Sequence, residues 1–439
     1  MGGRESSQTI DIYDYATNTW SSLINSAPLE FNHFQATEYQ GLIWIIGAFK
    51  TNNFPSELPA EHIWTFNPAS KEWVQGPSIP ANRQRGSAGL TVYNNKFYIS
   101  GGNTIGHDGG YVSWFDEYDP ATGIWTPLAD APRARDHFHS AVIGDKLYLA
   151  GGRLSGGTGG TFKPVIPEVD VYDFTSASWS TLPAGQNIPT PRAAASVVSF
   201  KDKLVVIGGE VENELVYGVN TSDALKITEE YDPSTGIWTR LADLNYKRHG
   251  TQAIVSGEGI SILAGSPNKG GGNQKNMEFL GEDAPVGEAG VASIISVPSS
   301  IQLSGSVSKE IPVTIIEGNI GVFITSVELQ GPEMDKFSIL SGNLTNALLK
   351  ANSEHTVVVE YIGLNGGETA NLLINYGVGG QEVIALEAII NDISITQIPD
   401  QNNVNGDILD GSLIVSATGG RRSIELLHDR RSCRCGYRC

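Results

Sequence analysis

Arginine side chains recur at matching positions in the first half of this 439-residue chain. Arg85, Arg135 and Arg192 each precede a Gly-Gly pair by sixteen residues, and the same count leads to Phe31 and His249 in two further copies. A guanidinium group pairs with a carboxylate through two parallel hydrogen bonds. A ring of such side chains would therefore be suited to bind acidic ligands.

Histidines and a further arginine stand close to the same positions. His33 and His137 follow Phe31 and Arg135 by two residues, and Arg248 directly precedes His249. The predicted ligand-binding set is Arg85, Arg135, Arg192, Arg248, His33, His137 and His249. In the alternative interpretation the arginines are structural, and their guanidinium groups donate to loop carbonyls where neighbouring repeats meet.

The eight histidines show no spacing typical of a metal site. No HExxH pair, GxSxG turn or Walker sequence is present, and the glycine-rich segment 151–160 lacks the Lys-Ser/Thr ending of a phosphate cradle. Cys433, Cys435 and Cys439 are too few for a structural zinc site, which usually takes four ligands. The sequence therefore predicts no metal and no cofactor, and no loss of stability when metals are removed.

Repeated β-structure must position these side chains. Each repeat has an alternating apolar run, a polar turn such as Asn94-Asn95, a second run that ends at a glycine doublet, a strand with Tyr or Phe, and a strand with Trp. This pattern predicts four antiparallel strands per repeat, with the aromatic side chains packed between repeats. The spacings between successive tryptophans are 53, 52, 54 and 59 residues, and these are Trp20, Trp73, Trp125, Trp179 and Trp238.

A period of about fifty residues with a glycine doublet and a tryptophan resembles the kelch repeat, including the central domain of galactose-oxidase type. The resemblance covers residues 1 to about 282 and implies a β-propeller with one four-stranded blade per repeat. The chain opens on the doublet Gly2-Gly3, and the last repeat has no Trp strand. We therefore predict a six-bladed propeller that is incomplete at its N-terminus. The alternative is a five-bladed ring in which residues 250–264 pair directly with residues 8–20.

The same resemblance bears on catalysis. Copper-radical oxidases on this scaffold need a cysteine cross-linked to a tyrosine, and no cysteine precedes Cys433, so that chemistry is excluded. Kelch sugar mutarotases use central arginines and acidic side chains without a cofactor. A mutarotase- or epimerase-like enzyme therefore stays as the alternative, and the sequence favours a non-catalytic binding module.

The character of the sequence changes after residue 282. Residues 283–290 predict a linker, and short alternating runs over 291–392 predict a β-sandwich, so the predicted fold class is all-β. Val327-Glu328-Leu329 followed by Gly331, and then Phe337-Ser338-Ile339, resemble an immunoglobulin-like "choice-of-anchor D" type of module. Residues 393–439 are interpreted as the start of a further β module followed by an irregular basic tail that contains the cysteines.

The charge of the chain limits its partners. With 29 Lys and Arg against 48 Asp and Glu, the net charge is −19, which disfavours nucleic acid. No stretch reaches the ~18 apolar residues of a membrane span. The first ten residues, MGGRESSQTI, show no signal peptide because they lack an apolar segment.

Loop lengths indicate where a ligand would bind. One face of the predicted propeller carries short turns, and the opposite face carries the long segments 51–61, 103–113, 153–168 and 210–226. Rigid scaffolds carry function on such loops. We therefore predict a monomeric module that binds a protein or a carbohydrate on the long-loop face, within a larger extracellular or cell-surface protein. Changing Arg85, Arg135 or Arg192 to Ala is expected to weaken an acidic glycan ligand and barely alter stability.

Overall fold

The regular structure is almost entirely β-strand. Within the described residues three one-turn 3₁₀ segments complete it: Gly106–Asp108, Ala184–Gln186 and Met334–Lys336. The predicted linker (residue 290 aside) and the predicted module and tail at 393–439 lie outside the described residues. No helix in the described part of the chain is long and apolar enough to cross a membrane. The computed structural model describes residues 1–3, 8–281, 290–304, 307–363 and 366–389.

Residues 10–281 form successive antiparallel sheets along the chain. We name five of them blades I to V: β3–β6, β7–β10, β11–β14, β15-β16-β19-β20 and β21–β23. Blades I to IV have four strands and blade V has three, while β1-β2 and β17-β18 are separate hairpins. The strands are β1 (Ile10–Asp14), β2 (Thr19–Leu23), β3 (Ala36–Tyr39), β4 (Leu42–Ile45), β5 (His62–Asn67), β6 (Glu72–Ser78), β7 (Gly89–Tyr93), β8 (Lys96–Ser100), β9 (Phe115–Asp119), β10 (Ile124–Pro127), β11 (Ser140–Ile143), β12 (Lys146–Leu149), β13 (Asp170–Asp173), β14 (Ser178–Thr181), β15 (Ser196–Phe200), β16 (Lys203–Ile207), β17 (Glu214–Val216), β18 (Val219–Thr221), β19 (Thr228–Asp232), β20 (Ile237–Arg240), β21 (Ala253–Ser256), β22 (Gly259–Leu263) and β23 (Met277–Gly281).

Tight turns join the two inner strands of each blade. Asn94 and Asn95 have φ values of 47° and 64°, and Lys201 and Asp202 have 49° and 58°. Two consecutive positive φ angles match the right-handed twist of a two-residue hairpin. The hairpin turns predicted at these positions are confirmed.

The glycine doublets lie where two blades meet. At Gly208, φ is +62° and an added Cβ would lie 2.4 Å from the carbonyl oxygen of Arg248 in the segment entering the next blade. A side chain at this position would displace backbone atoms. The doublet is therefore a steric requirement of the seam between blades IV and V.

Aromatic side chains fill the space between the outer strands. Tyr172 lies directly opposite Trp179 in the antiparallel pair β13-β14. Trp179 also packs on Phe115 of blade II, with ring centroids 5.0 Å apart, and donates its indole N–H to the carbonyl of Ala129. The predicted packing of this aromatic pair between blades is confirmed.

Polar side chains connect the innermost strands. Gln252, which precedes β21, exchanges two hydrogen bonds with the backbone of Ala36 in β3, so blade V contacts blade I directly. Buried Gln35 accepts from the backbone N–H groups of Leu90 in blade II and Ser140 in blade III. Among the described residues, no strand pairing links β1-β2 with β21 or β22. The six-blade count stays a prediction.

Residues 294–389 form two sheets around one hydrophobic core that includes Leu303, Val357 and Ile374. We call this part the C-terminal unit. One sheet has the order β24-β26-β30-β28, and the other has β25-β32-β31-β27-β29 with β25 and β32 parallel. The immunoglobulin-like and "choice-of-anchor D" assignments stay predictions. The strands are β24 (Ile294–Ser296), β25 (Ser300–Ser304), β26 (Ser308–Ile316), β27 (Val322–Gln330), β28 (Phe337–Ser341), β29 (Leu348–Leu349), β30 (Glu354–Tyr361), β31 (Thr369–Tyr376) and β32 (Gly380–Ile389).

The C-terminal unit packs on the short turns of blades I and II. Phe323 and Leu348 join a buried cluster around Trp44 of blade I, and the rings of Trp44 and Phe323 are 6.1 Å apart. The backbone N–H of Leu348 donates to the carbonyl of Pro120, in the turn between β9 and β10, at 2.6 Å. The long-loop face therefore lies on the opposite side of the propeller from this contact.

Candidate functional site

A repeated backbone motif sets the entrance to each blade. The residue that directly follows the doublet of each blade forms an antiparallel β-bridge with a residue in the segment that enters the same blade. Examples are Asn103 with Gly86 and Arg153 with Asp136. The next residue in the entering segment has a positive φ in every blade. These residues are His33 (46°), Ser87 (54°), His137 (53°), Ala194 (51°) and Gly250 (63°). The motif thus places His33 and His137 at equivalent positions.

The four predicted arginines are buried, and each donates hydrogen bonds within its own blade. Each donates to the carbonyl of the residue sixteen positions later: Arg85 to Gly101, Arg135 to Gly151, Arg192 to Gly208 and Arg248 to Ala264. The last pair corrects the sequence alignment, because Arg248, and not His249, occupies the position equivalent to Arg85. The doublet of blade V is accordingly Ala264-Gly265, one residue earlier than the count of sixteen from His249 implies.

Each of these arginines is also paired with an acidic residue in the third strand of its blade. The nitrogen–oxygen distances are 2.5–2.8 Å, for Arg85–Asp116, Arg135–Asp170, Arg192–Glu229 and Arg248–Glu278. Burial lowers the pKa of Arg85 to about 10 in spite of Asp116, so the group is still protonated at neutral pH.

These contacts favour the structural interpretation of the arginines. Most of their donors are engaged by acceptors of the same blade, with the Nε atoms of Arg135 and Arg248 as exceptions, and their side chains are almost completely inaccessible. The expectation that their replacement would barely alter stability is at odds with this burial. Ligand binding by Arg85, Arg135, Arg192 and Arg248 stays an untested prediction.

Three histidines from three blades converge on the long-loop face. The ring centroids of His33, His107 and His137 are 4.7–4.8 Å apart in all three pairs. One ring nitrogen from each lies within 4.8 Å of the others, an arrangement able to hold a metal ion. We call these residues the histidine triad.

Polar groups orient each ring of the histidine triad. The Nδ1 atom of His107 lies 2.9 Å from a carboxylate oxygen of Glu57, and that of His137 lies 2.5 Å from Asp136. The Nδ1 atom of His33 lies 2.6 Å from the side-chain oxygen of Asn32. Glu57 and Asp136 are fully buried, so both carboxylates are held in a medium of low polarity.

A buried polar chain continues from the triad toward blade V. Asp136 accepts from the hydroxyl of Ser155, which accepts from Arg153, and Arg153 pairs with Glu210 at 2.6 Å. Burial alone would raise the pKa of Glu210, but His249 and Arg153 outweigh it and hold the pKa below its ordinary value. His249 therefore belongs to this chain, 3.3 Å from Glu210, and does not join the triad.

The sequence shows no spaced set of metal ligands, yet the fold brings three histidines together that could hold a metal ion, so the absence of a metal stays a prediction. Position-matching identified His33 and His137, and the structure brings these two together. It missed His107, which lies in the non-repeating insertion between β8 and β9. One feature of the sequence could have identified His107: it lies in a long loop on the face where His33 and His137 were predicted.

Apolar side chains are exposed on neighbouring long loops. Phe54 and Leu58 belong to the insertion of blade I, and Ile105 and Tyr111 belong to that of blade II. The ring of Phe54 also lies 5.0 Å from that of His107. We call these four exposed side chains the loop patch, and Phe54 is the member that lies beside the histidine triad.

The repeated four-stranded sheets define an all-β propeller. Residues 77–265 match the family model of the KLHDC2/KLHL20/DRC7 Kelch-repeats domain. This part of the chain is therefore similar to a kelch-repeat domain, in agreement with the resemblance seen in the sequence.

Relatives share this domain at low identity. The chain is 29% identical over 269 residues to Kelch-like protein terF of Aspergillus terreus, covering 60% of this chain and 56% of that protein. It is 22% identical over 264 residues to human Kelch-like protein 23, covering 58% and 41%. It thus spans about half the length of these relatives. The solved structure of YjhT has a TM-score of 0.48 and 16% identity, covering 60% of this chain and 84% of that one.

Proposed function

We propose that the propeller is a non-catalytic module that binds a protein through its long-loop face. The observation that carries the proposal is the loop patch, in which Phe54, Leu58, Ile105 and Tyr111 are exposed on two adjacent loops. Aromatic and large apolar residues are the usual anchors of protein interfaces. The C-terminal unit contacts the opposite face, so it leaves these loops accessible.

A carbohydrate ligand is the second candidate, because Tyr111 offers an exposed aromatic ring on the same face. The acidic-sugar version and the mutarotase alternative both depended on accessible central arginines. Burial of Arg85, Arg135 and Arg192 removes the observation that favoured them. We further propose, as the sequence analysis expected, a monomer that works in an extracellular or cell-surface setting.

Affinity capture from extracts of the source organism, followed by mass spectrometry, tests the proposal. The full-length chain is compared with a Phe54→Ser/Tyr111→Ser variant and with Ile237→Ser, an exposed apolar residue on an outer strand. We expect partners that are kept by the Ile237 variant and lost by the double variant. Replacing an interface anchor typically costs about 2 kcal/mol or more, or roughly thirty-fold in affinity.

The outcome also separates the two ligand classes. Partners retained by the Phe54/Tyr111 variant would exclude the loop patch as the protein-binding surface. A glycan array probed with the same three proteins supports the carbohydrate alternative if the Phe54/Tyr111 variant loses glycan binding and no protein partner is lost with it.

A further inference from the structure

We propose that His33, His107 and His137 form a binding site for a divalent transition-metal ion, and that Zn²⁺ fits the donor set best. The proposal concerns the histidine triad alone and does not depend on the identity of a protein or carbohydrate ligand. It starts from the convergence of three imidazole nitrogens supplied by three different blades.

The hydrogen bonds of His107 and His137 assign their tautomers. Each Nδ1 faces a carboxylate oxygen, of Glu57 and Asp136 respectively, so each Nδ1 carries a proton and donates it. In the neutral ring the Nε2 atom then presents its lone pair. The two Nε2 atoms face each other at 3.2 Å, where two lone pairs repel unless a positive charge lies between them.

This separation matches zinc coordination. Zn–N bonds of 2.0–2.1 Å in tetrahedral geometry place two ligand nitrogens about 3.3 Å apart. The third nitrogen, from His33, lies within 4.8 Å of the other two, a gap that rotation of a partly exposed side chain can reduce. Three histidines that leave a fourth position open form an established type of zinc site.

The groups around the triad favour a cation and resemble the second coordination shell of a metal site. Histidines that bind metals commonly donate their other N–H to a carboxylate, which orients the ring and makes it a stronger ligand. Glu57 additionally accepts from the backbone N–H of His107, so it fixes both the loop and the ring. Glu57 and Asp136 place two fully buried carboxyl groups beside the rings, and Arg153, which pairs with Glu210, is linked to Asp136 through Ser155. A divalent ion would compensate the two carboxylates.

The nature of the donors narrows the choice of ion. Mg²⁺ and Ca²⁺ prefer oxygen ligands, whereas imidazole nitrogen suits Zn²⁺, Cu²⁺ and Ni²⁺. The three nitrogens come from separate segments and are arranged as a triangle, which suits tetrahedral Zn²⁺ better than the square-planar preference of Cu²⁺. The competing account of the contact is a single extra proton shared by His107 and His137.

The test is a metal titration of the full-length chain in which Cys433, Cys435 and Cys439 are replaced by Ser. These replacements are needed because cysteine thiolates bind zinc themselves. After treatment with a chelator, ZnCl₂ is added and binding is followed by isothermal titration calorimetry. CoCl₂ is then added to a second sample, and visible absorption reports whether the cobalt ion is tetrahedral. We expect one ion per chain and a tetrahedral spectrum.

Three variants in this background locate the ion. His107→Ala and, as a milder change at a partly exposed position, His33→Ala should each abolish the tetrahedral cobalt spectrum. Glu57→Gln should retain the ligands and lower the zinc affinity by about 10–100-fold, the usual effect of removing a supporting carboxylate. The matched control is His355→Gln, which removes a histidine of the C-terminal unit and should leave binding unchanged. Circular dichroism without metal shows whether each variant is folded.

Two results would overturn the proposal. One is the absence of zinc binding by the folded parent protein, which is the outcome expected if a shared proton links the rings. The other is zinc binding that His107→Ala and His33→Ala leave unchanged while both variants are folded. If His107→Ala is unfolded, its loss of zinc binding does not count, and the proposal is judged on folded His33→Ala alone.

Discussion

Arg192 offers a direct test of the structural interpretation of the buried arginines. Its guanidinium group donates to the carbonyls of Gly208, Thr190 and Val206 at 2.6, 2.7 and 3.0 Å, and it pairs with Glu229 at 2.5 Å. The change Arg192→Met keeps an unbranched side chain of similar length and removes all of these bonds. Glu229, which is 1% exposed, would keep hydroxyl donors but lose this cation.

The expected loss follows from the buried charge. Removing one partner of a buried ion pair costs about 3–5 kcal/mol, because the other charge is left uncompensated. The carbonyls that lose a donor add to this cost. At about 2.1 cal/mol/K of unfolding entropy per residue, a chain of 439 residues shifts by about 1 °C per kcal/mol, so we expect the melting temperature to fall by roughly 3–5 °C.

Urea unfolding and thermal melting of the full-length chain measure the effect. The double change Arg192→Met/Glu229→Gln should recover part of the loss, because the amide has no charge to compensate. Arg240→Met is the control, since its pair with Asp243 is exposed and such pairs contribute about 0–1 kcal/mol. A loss for Arg192→Met as small as that of the control would refute the structural role and return the arginine to the predicted ligand site.

Three further predictions concern the seams, pH and the contact between the two parts of the chain. Gly208→Ala should destabilise the protein more than Gly218→Ala, because both have positive φ but only the first added Cβ meets backbone; equal melting temperatures would contradict this. Burial alone would raise the pKa of Glu278, but hydrogen bonds from backbone N–H groups and from Arg248 hold it below its ordinary value. The stability that this carboxylate contributes is therefore present above pH about 4.5 and lost as the pH falls below it. In Glu278→Gln the urea-unfolding midpoint should depend less on pH in that range than in the parent protein. Equal pH dependence of the two midpoints would exclude this role. Phe323→Ala should cost about 3–5 kcal/mol in urea unfolding, because the ring is buried among residues of blade I, and a loss below 1 kcal/mol would count against that packing.

Repetition made much of the fold predictable from sequence. The strand pairs, the Asn94-Asn95 turn and the Tyr172–Trp179 pair recur at a fixed period, so each copy supports the assignment of the others. The same repetition located the arginines. Their acidic partners recur in the same way, as in Asp116 and Asp170, each two residues before a tyrosine. This matching repetition was the available signal that the arginines form buried ion pairs within their blades.

Features without repetition could not be obtained in this way. His107 lies in an insertion whose path depends on contacts with Glu57 of another blade, and no local pattern encodes such a contact. Packing of Phe323 against Trp44 likewise joins residues nearly 280 positions apart. In blade V the count of sixteen led to His249 instead of Arg248, because Ala264 takes the place of the first glycine of the doublet and adopts the positive φ of 56° that glycine provides elsewhere.

The cluster shared by blade I and the C-terminal unit has a thermodynamic consequence. Trp44, Phe323 and Leu348 are buried in one continuous apolar cluster, so separating the two parts would expose side chains of both to water. Their unfolding equilibria are therefore coupled, and the chain should melt with more cooperativity than two tethered but independent bodies. By linkage, a ligand that binds only the folded propeller also protects the C-terminal unit, which it need never touch.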